Sequence, residues 1–222
     1  PWEWRVEWYR GQLALAQGDP AGARAAFDRV YGEVPGELAP KLALAMAAEA
    51  AGDLVTAAGF YDIVSRTDPS FTTACYGLAR ALAALGDRAQ AVAAYGRVPR
   101  VSSAYVDAQL RAARILVARS AGTAPGATEL AKASATVSQL TLDAEQRAAT
   151  TRELLEAALD LVQEGAVAPS GAVMIMGSPL EERGLRRGLE RAYRDLARLA
   201  DDPEEKIRLV DRANRIRPQT LV

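Results

Sequence analysis

A 34-residue period runs through the first half of the chain. Gly18, Gly52 and Gly86 stand 34 residues apart, and each is followed by an aspartate, Asp19, Asp53 and Asp87. Four residues past each aspartate come Ala23, Ala57 and Ala91, then after four more Phe27, Tyr61 and Tyr95, and after three more Val30, Val64 and Val98. Pro35 and Pro69 close the first two units, and Ser103 stands where a third proline would be. A repeat this short cannot bury an apolar face by itself, so copies must stack to make a core.

Each column has a local meaning. The glycine ends one helix in a left-handed cap, and the aspartate caps the next helix from its N-terminus. The small alanine lets two helices approach, while the aromatic and the valine fill the groove against the next unit. The proline stops the second helix. Gly11, Ala45 and Ala79 hold a small contact position in the first helices. The pattern resembles the tetratricopeptide repeat (TPR), a helix-turn-helix unit, with units at about 1–35, 36–69 and 70–104.

Beyond residue 104 the register fades but helical periodicity persists. Val106, Leu110, Ala113 and Val117 form one stripe of a helix over 105–119. Helices are expected at 128–140 and 143–164, the second ended by Gly165. Ser178-Pro179 reads as a helix start, opening a helix with Leu185, Leu189, Ala192, Leu196 and Leu199 on one face. Asp202-Pro203 repeats the signal, and the last helix stops near Pro218. The expected fold is all-α, a TPR-type helical-repeat solenoid (an α-α superhelix) of about eleven helices with no strand, forming one continuous domain whose divergent part covers 105–222.

Composition narrows the function. The 222 residues are 50% hydrophobic and 25% charged, which excludes wholesale disorder. A formal charge of −1 gives no bulk attraction to nucleic acid or anionic membranes. No apolar run is long enough to cross a bilayer; the AVMIM stretch (172–176) is far too short and reads as an irregular core segment or a contact between copies. With no histidine, the commonest general base and metal ligand is missing. One cysteine, Cys75, allows no internal disulfide or cysteine zinc cluster and reads as a buried, inert thiol. The expectation is a binding part with no cofactor or metal, located in the cytoplasm. The opening PWEWRVEW is not a secretory signal and lacks an initiator methionine, as in a piece excised from a larger protein.

The segments GELAPKLALA (36–45), AGDLVTAAGFY (51–61) and YGLARALAALGDR (76–88), and the closing stretch LEERGLRRGLERAYRDLARLADDPEEKIRLVDRANRIRP (180–218), resemble the C-terminal TPR region of the actinobacterial serine/threonine protein kinase G family. The irregular second half is the more specific part of this resemblance. In that family a rubredoxin-like metal domain and a kinase domain lie upstream, and Val222 fits a natural C-terminus. The resemblance implies a parent kinase that phosphorylates a small forkhead-associated protein controlling 2-oxoglutarate and glutamate metabolism. It further implies that this region serves dimerisation and docking of the kinase domain or substrate. No kinase motif falls in these residues: HRD, DFG, GxGxxG and the rubredoxin-like cysteine pairs are all missing. The chain is therefore expected to lack transferase activity, with no catalytic residue.

First helices of TPR units line a groove. The inward positions are Arg5, Trp8 and Gln12, then Leu42, Met46 and Glu49, then Thr73, Tyr76 and Arg80. The carboxylate clamp of chaperone-binding TPR domains is missing, since Trp8, Gln12, Ala43, Thr73 and Gly77 occupy its places. Contact with a neighbouring domain or helix is favoured over a free peptide site. Trp8 should pack within its repeat, whereas Trp2 and Trp4 precede the repeat core and should face the kinase domain or a second copy. Arg183, Arg187, Arg191, Arg194 and Arg198 form a stripe interleaved with Glu181, Glu182, Glu190 and Asp195. It reads as a solvated face first and an anion site second. A stand-alone TPR scaffold binding a peptide or partner helix is the alternative reading. Carboxylate chemistry at Glu181 and Glu182 is disfavoured because adjacent helical residues diverge by about 100°.

Overall fold

The computed structural model describes residues 3–119 and 122–218 and divides into two compact units, with the division between Ala108 and Gln109. In the first unit three helix pairs follow one another: α1 (Glu3–Ala16) with α2 (Pro20–Glu33), α3 (Leu38–Ala50) with α4 (Leu54–Thr67), and α5 (Thr72–Ala84) with α6 (Arg88–Tyr95). α7 (Tyr105–Val117) crosses the boundary.

The three Gly-Asp corners are built alike. Gly18, Gly52 and Gly86 have φ of 75°, 77° and 87°, a conformation that side chains resist. The amide of the following aspartate reaches back to Ala14, Ala48 and Leu82 carbonyls at 2.8, 2.9 and 2.9 Å, closing a Schellman cap. The Asp19, Asp53 and Asp87 side chains then accept from the amides of Gly22, Thr56 and Gln90 at 2.9, 3.1 and 3.0 Å. One dipeptide thus ends one helix and starts the next.

The stack is filled by small residues and aromatics. Ala23, Ala57, Ala91, Ala45 and Ala79 are buried, as are Phe27, Tyr61 and Tyr95. Two glycines admit the rings: a methyl added at Gly11 would land on Phe27, and one at Gly77 on Tyr61. The third unit is frayed, as Ser103 suggested. α6 has 8 residues against 14 in α2 and α4, because Gly96 interrupts it where Asp28 and Asp62 continue a helix, and Pro99 follows where Tyr31 and Ser65 do.

The second unit holds the rest of α7, then α8 (Ala127–Ser138), α9 (Ala144–Gln163), α10 (Glu182–Leu199) and α11 (Pro203–Ile216). Its core includes Leu130, Leu154, Leu155, Leu185 and Leu189. The expected caps are present: Gly165 has φ 71°, and the Asp202 side chain accepts from the amides of Glu204 and Glu205. Among the described residues there are eleven helices, and the all-α helical-repeat class stands.

Two local expectations are corrected. A short antiparallel hairpin, β1 (Ser170–Ile175) with β2 (Ser178–Leu180), occupies a stretch expected to hold no strand. Ser178-Pro179 therefore does not start a helix; α10 begins at Glu182. The reason lies in the two residues between the strands. Met176 and Gly177 both take positive φ (47° and 74°), as a tight two-residue hairpin turn requires. The turn folds Ser178 and Leu180 inward, both buried, opposite Ile175 and Ser170. Pro179 is tolerated because a two-stranded sheet leaves β2 a free edge. Within the AVMIM segment, Ile175 enters the core while Met174 stays half exposed. Leu199, expected on the buried face of α10, is also exposed.

Candidate functional site

Three of the residues expected to line the repeat groove, Glu49, Tyr76 and Arg80, are engaged within the stack. Glu49 on α3 receives the Arg80 guanidinium of α5 through Nε and Nη2 at 2.8 and 2.9 Å. The Tyr61 hydroxyl of α4 donates to the same carboxylate at 2.6 Å. Burial alone would push the Glu49 carboxyl up, but the bonds from Arg80 and Tyr61 outweigh it and hold it below its ordinary value. Burial, together with the bond to Glu49, pushes the Tyr61 phenol well up. This cluster therefore stays as a carboxylate, a guanidinium and a neutral phenol at neutral pH, and it joins three helices of two repeats.

Tyr76 is engaged in the same way. Its hydroxyl lies between the Ala104 carbonyl (2.9 Å) and the Asp107 carboxylate (2.8 Å), and its ring meets Tyr95 edge-on at 5.2 Å. Gln12 and Met46, by contrast, are exposed. Of the expected groove set, Glu49 and Arg80 thus join the second repeat to the third and Tyr76 joins the third to α7, leaving Gln12, Met46 and Thr73 exposed.

At the start of the stack, Trp8 packs on the Ala23, Phe27 and Leu44 cluster, with its ring 5.4 Å from Phe27. Trp4 is half-buried and carries the Arg5 guanidinium over its face at 5.4 Å. Trp4 and Trp8, with Val30, Val34 and Pro40, line an apolar cleft of about 440 Å³. Val6, Tyr9 and Leu13 stand exposed on another stripe of α1. Trp2 lies outside the described residues.

Several contacts escaped sequence reasoning. Arg97 reaches back to Asp62 at 2.8 Å and donates to the buried Ser65 hydroxyl at 2.6 Å, tying the third repeat to the second. The 34-residue column alone could not show this, because it marks caps and core and leaves polar partners unmarked. Cys75 is fully buried, as expected, and burial pushes its thiol up. Two of the five arginines of the α10 stripe meet a carboxylate: Arg194 with Glu190 at 3.1 Å and Arg198 with Asp195 at 2.7 Å. Among the described residues no helix is long and apolar enough to cross a membrane.

Helix pairs phased by Gly-Asp corners, with small residues at the crossings, define a TPR-type helical repeat. The chain belongs to the protein kinase G tetratricopeptide repeat family, whose pattern matches residues 1–220. It is 37% identical over 221 residues to the serine/threonine-protein kinase PknG of Mycobacterium leprae, and 35% identical over 220 residues to PknG of Mycolicibacterium smegmatis. Each match covers 99% of this chain but 28% of the relative, so the chain spans under a third of those kinases. A thermophilic TPR protein of Thermus thermophilus is similar in structure at a TM-score of 0.47 and 17% identity, over 94% of this chain and 98% of that one.

Proposed function

We propose that this chain is the non-catalytic interaction region of a serine/threonine kinase resembling protein kinase G, working in the cytoplasm through self-association and through docking of the kinase domain or its substrate. The match of the family pattern to residues 1–220, irregular second half included, carries this reading. The geometry supports it. Glu49, Tyr76 and Arg80 are engaged within the stack, which suits a rigid platform better than a site for chemistry. The apolar cleft under Trp4 and the exposed stripe Val6, Tyr9 and Leu13 sit on the first helix of the stack. Trp4, together with Trp2, is the proposed contact to the kinase domain or a second copy, and Gln12 and Met46 are groove positions open to a partner. By the resemblance, the parent's substrate is a forkhead-associated regulator of 2-oxoglutarate and glutamate metabolism.

Sedimentation equilibrium of the chain over a wide concentration range, together with titration against the kinase region of the Mycobacterium leprae relative, tests the proposal. The expected result is a concentration-dependent rise in mass or saturable binding to the kinase region, weakened at least tenfold by Trp4→Ala with helicity unchanged. A strict monomer that binds no kinase region would overturn it.

A further inference from the structure

We infer that the second unit carries a binding site for a small doubly charged anion with an apolar body, such as an aryl phosphate. The site is a cleft of about 660 Å³ between α9, α10 and the hairpin turn. That volume lies in the range of small-molecule sites.

Its charge arises from how its arginines are held. Arg147 of α9 donates to the Leu140 carbonyl at 2.9 Å. Arg191 of α10 reaches the buried Ser178 hydroxyl, at 3.4 Å. Both acceptors are neutral. Elsewhere on α10 the pattern differs: Arg186, Arg194 and Arg198 each meet a carboxylate at 2.8, 3.1 and 2.7 Å. Arg147 and Arg191 are thus oriented without being neutralised. Arg198 and Asp195, which also line the cleft, cancel each other. The cleft carries a net charge of +2 in a chain whose formal charge is −1. Guanidinium groups bind planar or tetrahedral oxyanions through paired N–H donors, and a concave site focuses their field.

The remaining walls set the rest of the ligand. Thr151 offers a hydroxyl, while the partly exposed Met176 and the exposed Leu199 supply apolar surface. A bare oxyanion would leave that surface wet, and an uncharged hydrocarbon would leave two cations unanswered. A molecule with both parts satisfies both walls. The hairpin makes the site possible, since its turn places Ser178 against α10 at Gly188, where a methyl would collide with the Ser178 hydroxyl.

The test is an NMR titration of the chain with phenyl phosphate, inorganic phosphate and a short acidic peptide as probes. Phenyl phosphate is expected to shift the Thr151, Gly177 and Ser178 amides saturably and to bind at least tenfold more tightly than inorganic phosphate. Arg191→Gln should weaken it at least tenfold. Ala144→Trp, which fills the cleft mouth from an exposed position and removes no charge, should do the same. Arg183→Gln/Arg187→Gln, on the same helix outside the cleft, should leave it within twofold. Equal loss in the control variant, non-saturating shifts, or tighter binding of the acidic peptide than of phenyl phosphate would each overturn the assignment.

Discussion

Arg80 grips the Glu49 carboxylate with two nitrogens across 31 residues of chain, while Tyr61 holds the same carboxylate from a third helix. This pairing welds the second repeat to the third. Arg80→Ala is expected to cost about 1–2 kcal/mol in urea unfolding, less than a fully buried pair, because half of the Arg80 side chain meets solvent. No measurable loss would show that the pair is decorative.

The same cluster sets a pH dependence. Glu49 lies below its ordinary value of 4.5 in the folded chain, so the unfolded chain takes up the proton first. The stability it contributes is complete above that value and is lost as pH falls through the folded value. Glu49→Gln, which mimics the protonated group, should destabilise the chain at neutral pH, and the difference from wild type should shrink below pH 4.5. A difference that does not vary with pH would contradict the assignment.

Two helical glycines should respond oppositely to the same substitution. Gly59 on α4 is exposed with open space around it, so Gly59→Ala should stabilise by about 0.5–1 kcal/mol through helix propensity. Gly77 on α5 lies against the Tyr61 ring, so Gly77→Ala should destabilise by about 1–3 kcal/mol despite the same propensity gain. Thermal and urea unfolding of both variants measure the contrast.

The corners separate backbone cost from side-chain cost. Gly52 has φ 77° and nothing nearby, so Gly52→Ala should cost about 1 kcal/mol from the left-handed backbone alone. Asp53→Ala should cost a similar amount, about 1 kcal/mol, by freeing the Thr56 amide. If both are neutral, the corners do not phase the stack.

In the second unit, the largely buried Ser134 hydroxyl accepts from the Met176 amide at 2.8 Å and pins the hairpin turn to α8. Ser134→Ala should cost about 1–2 kcal/mol. It should also speed hydrogen exchange at Met176 and Gly177 more than at the corners of the first unit. Uniform change across the chain would place the effect elsewhere.

The first unit was legible because its punctuation is local. A glycine that must take positive φ and an aspartate that must cap act within a few residues and recur in step. The caps at Gly165 and Asp202 were legible for the same reason. The hairpin was not, because its turn puts methionine where asparagine would have announced it, and Ser178-Pro179 mimics a helix start. The groove residues were placed on the right helices. Their partners were not visible, since Glu49 meets Arg80 and Tyr76 meets Asp107 only after the repeats stack. The cleft of the second unit was hidden for a related reason: Arg191 looked like one more member of a solvated stripe until the hairpin set Ser178 beside it.

The most direct test mixes this chain with the kinase region of a protein kinase G relative and follows both binding and ATP turnover. The account predicts that the chain alone turns over no nucleotide, and that it either binds the kinase region saturably or pairs with itself, with Trp4→Ala weakening the contact. Nucleotide turnover by the chain alone, or failure to bind either partner while its helices remain intact, would contradict it.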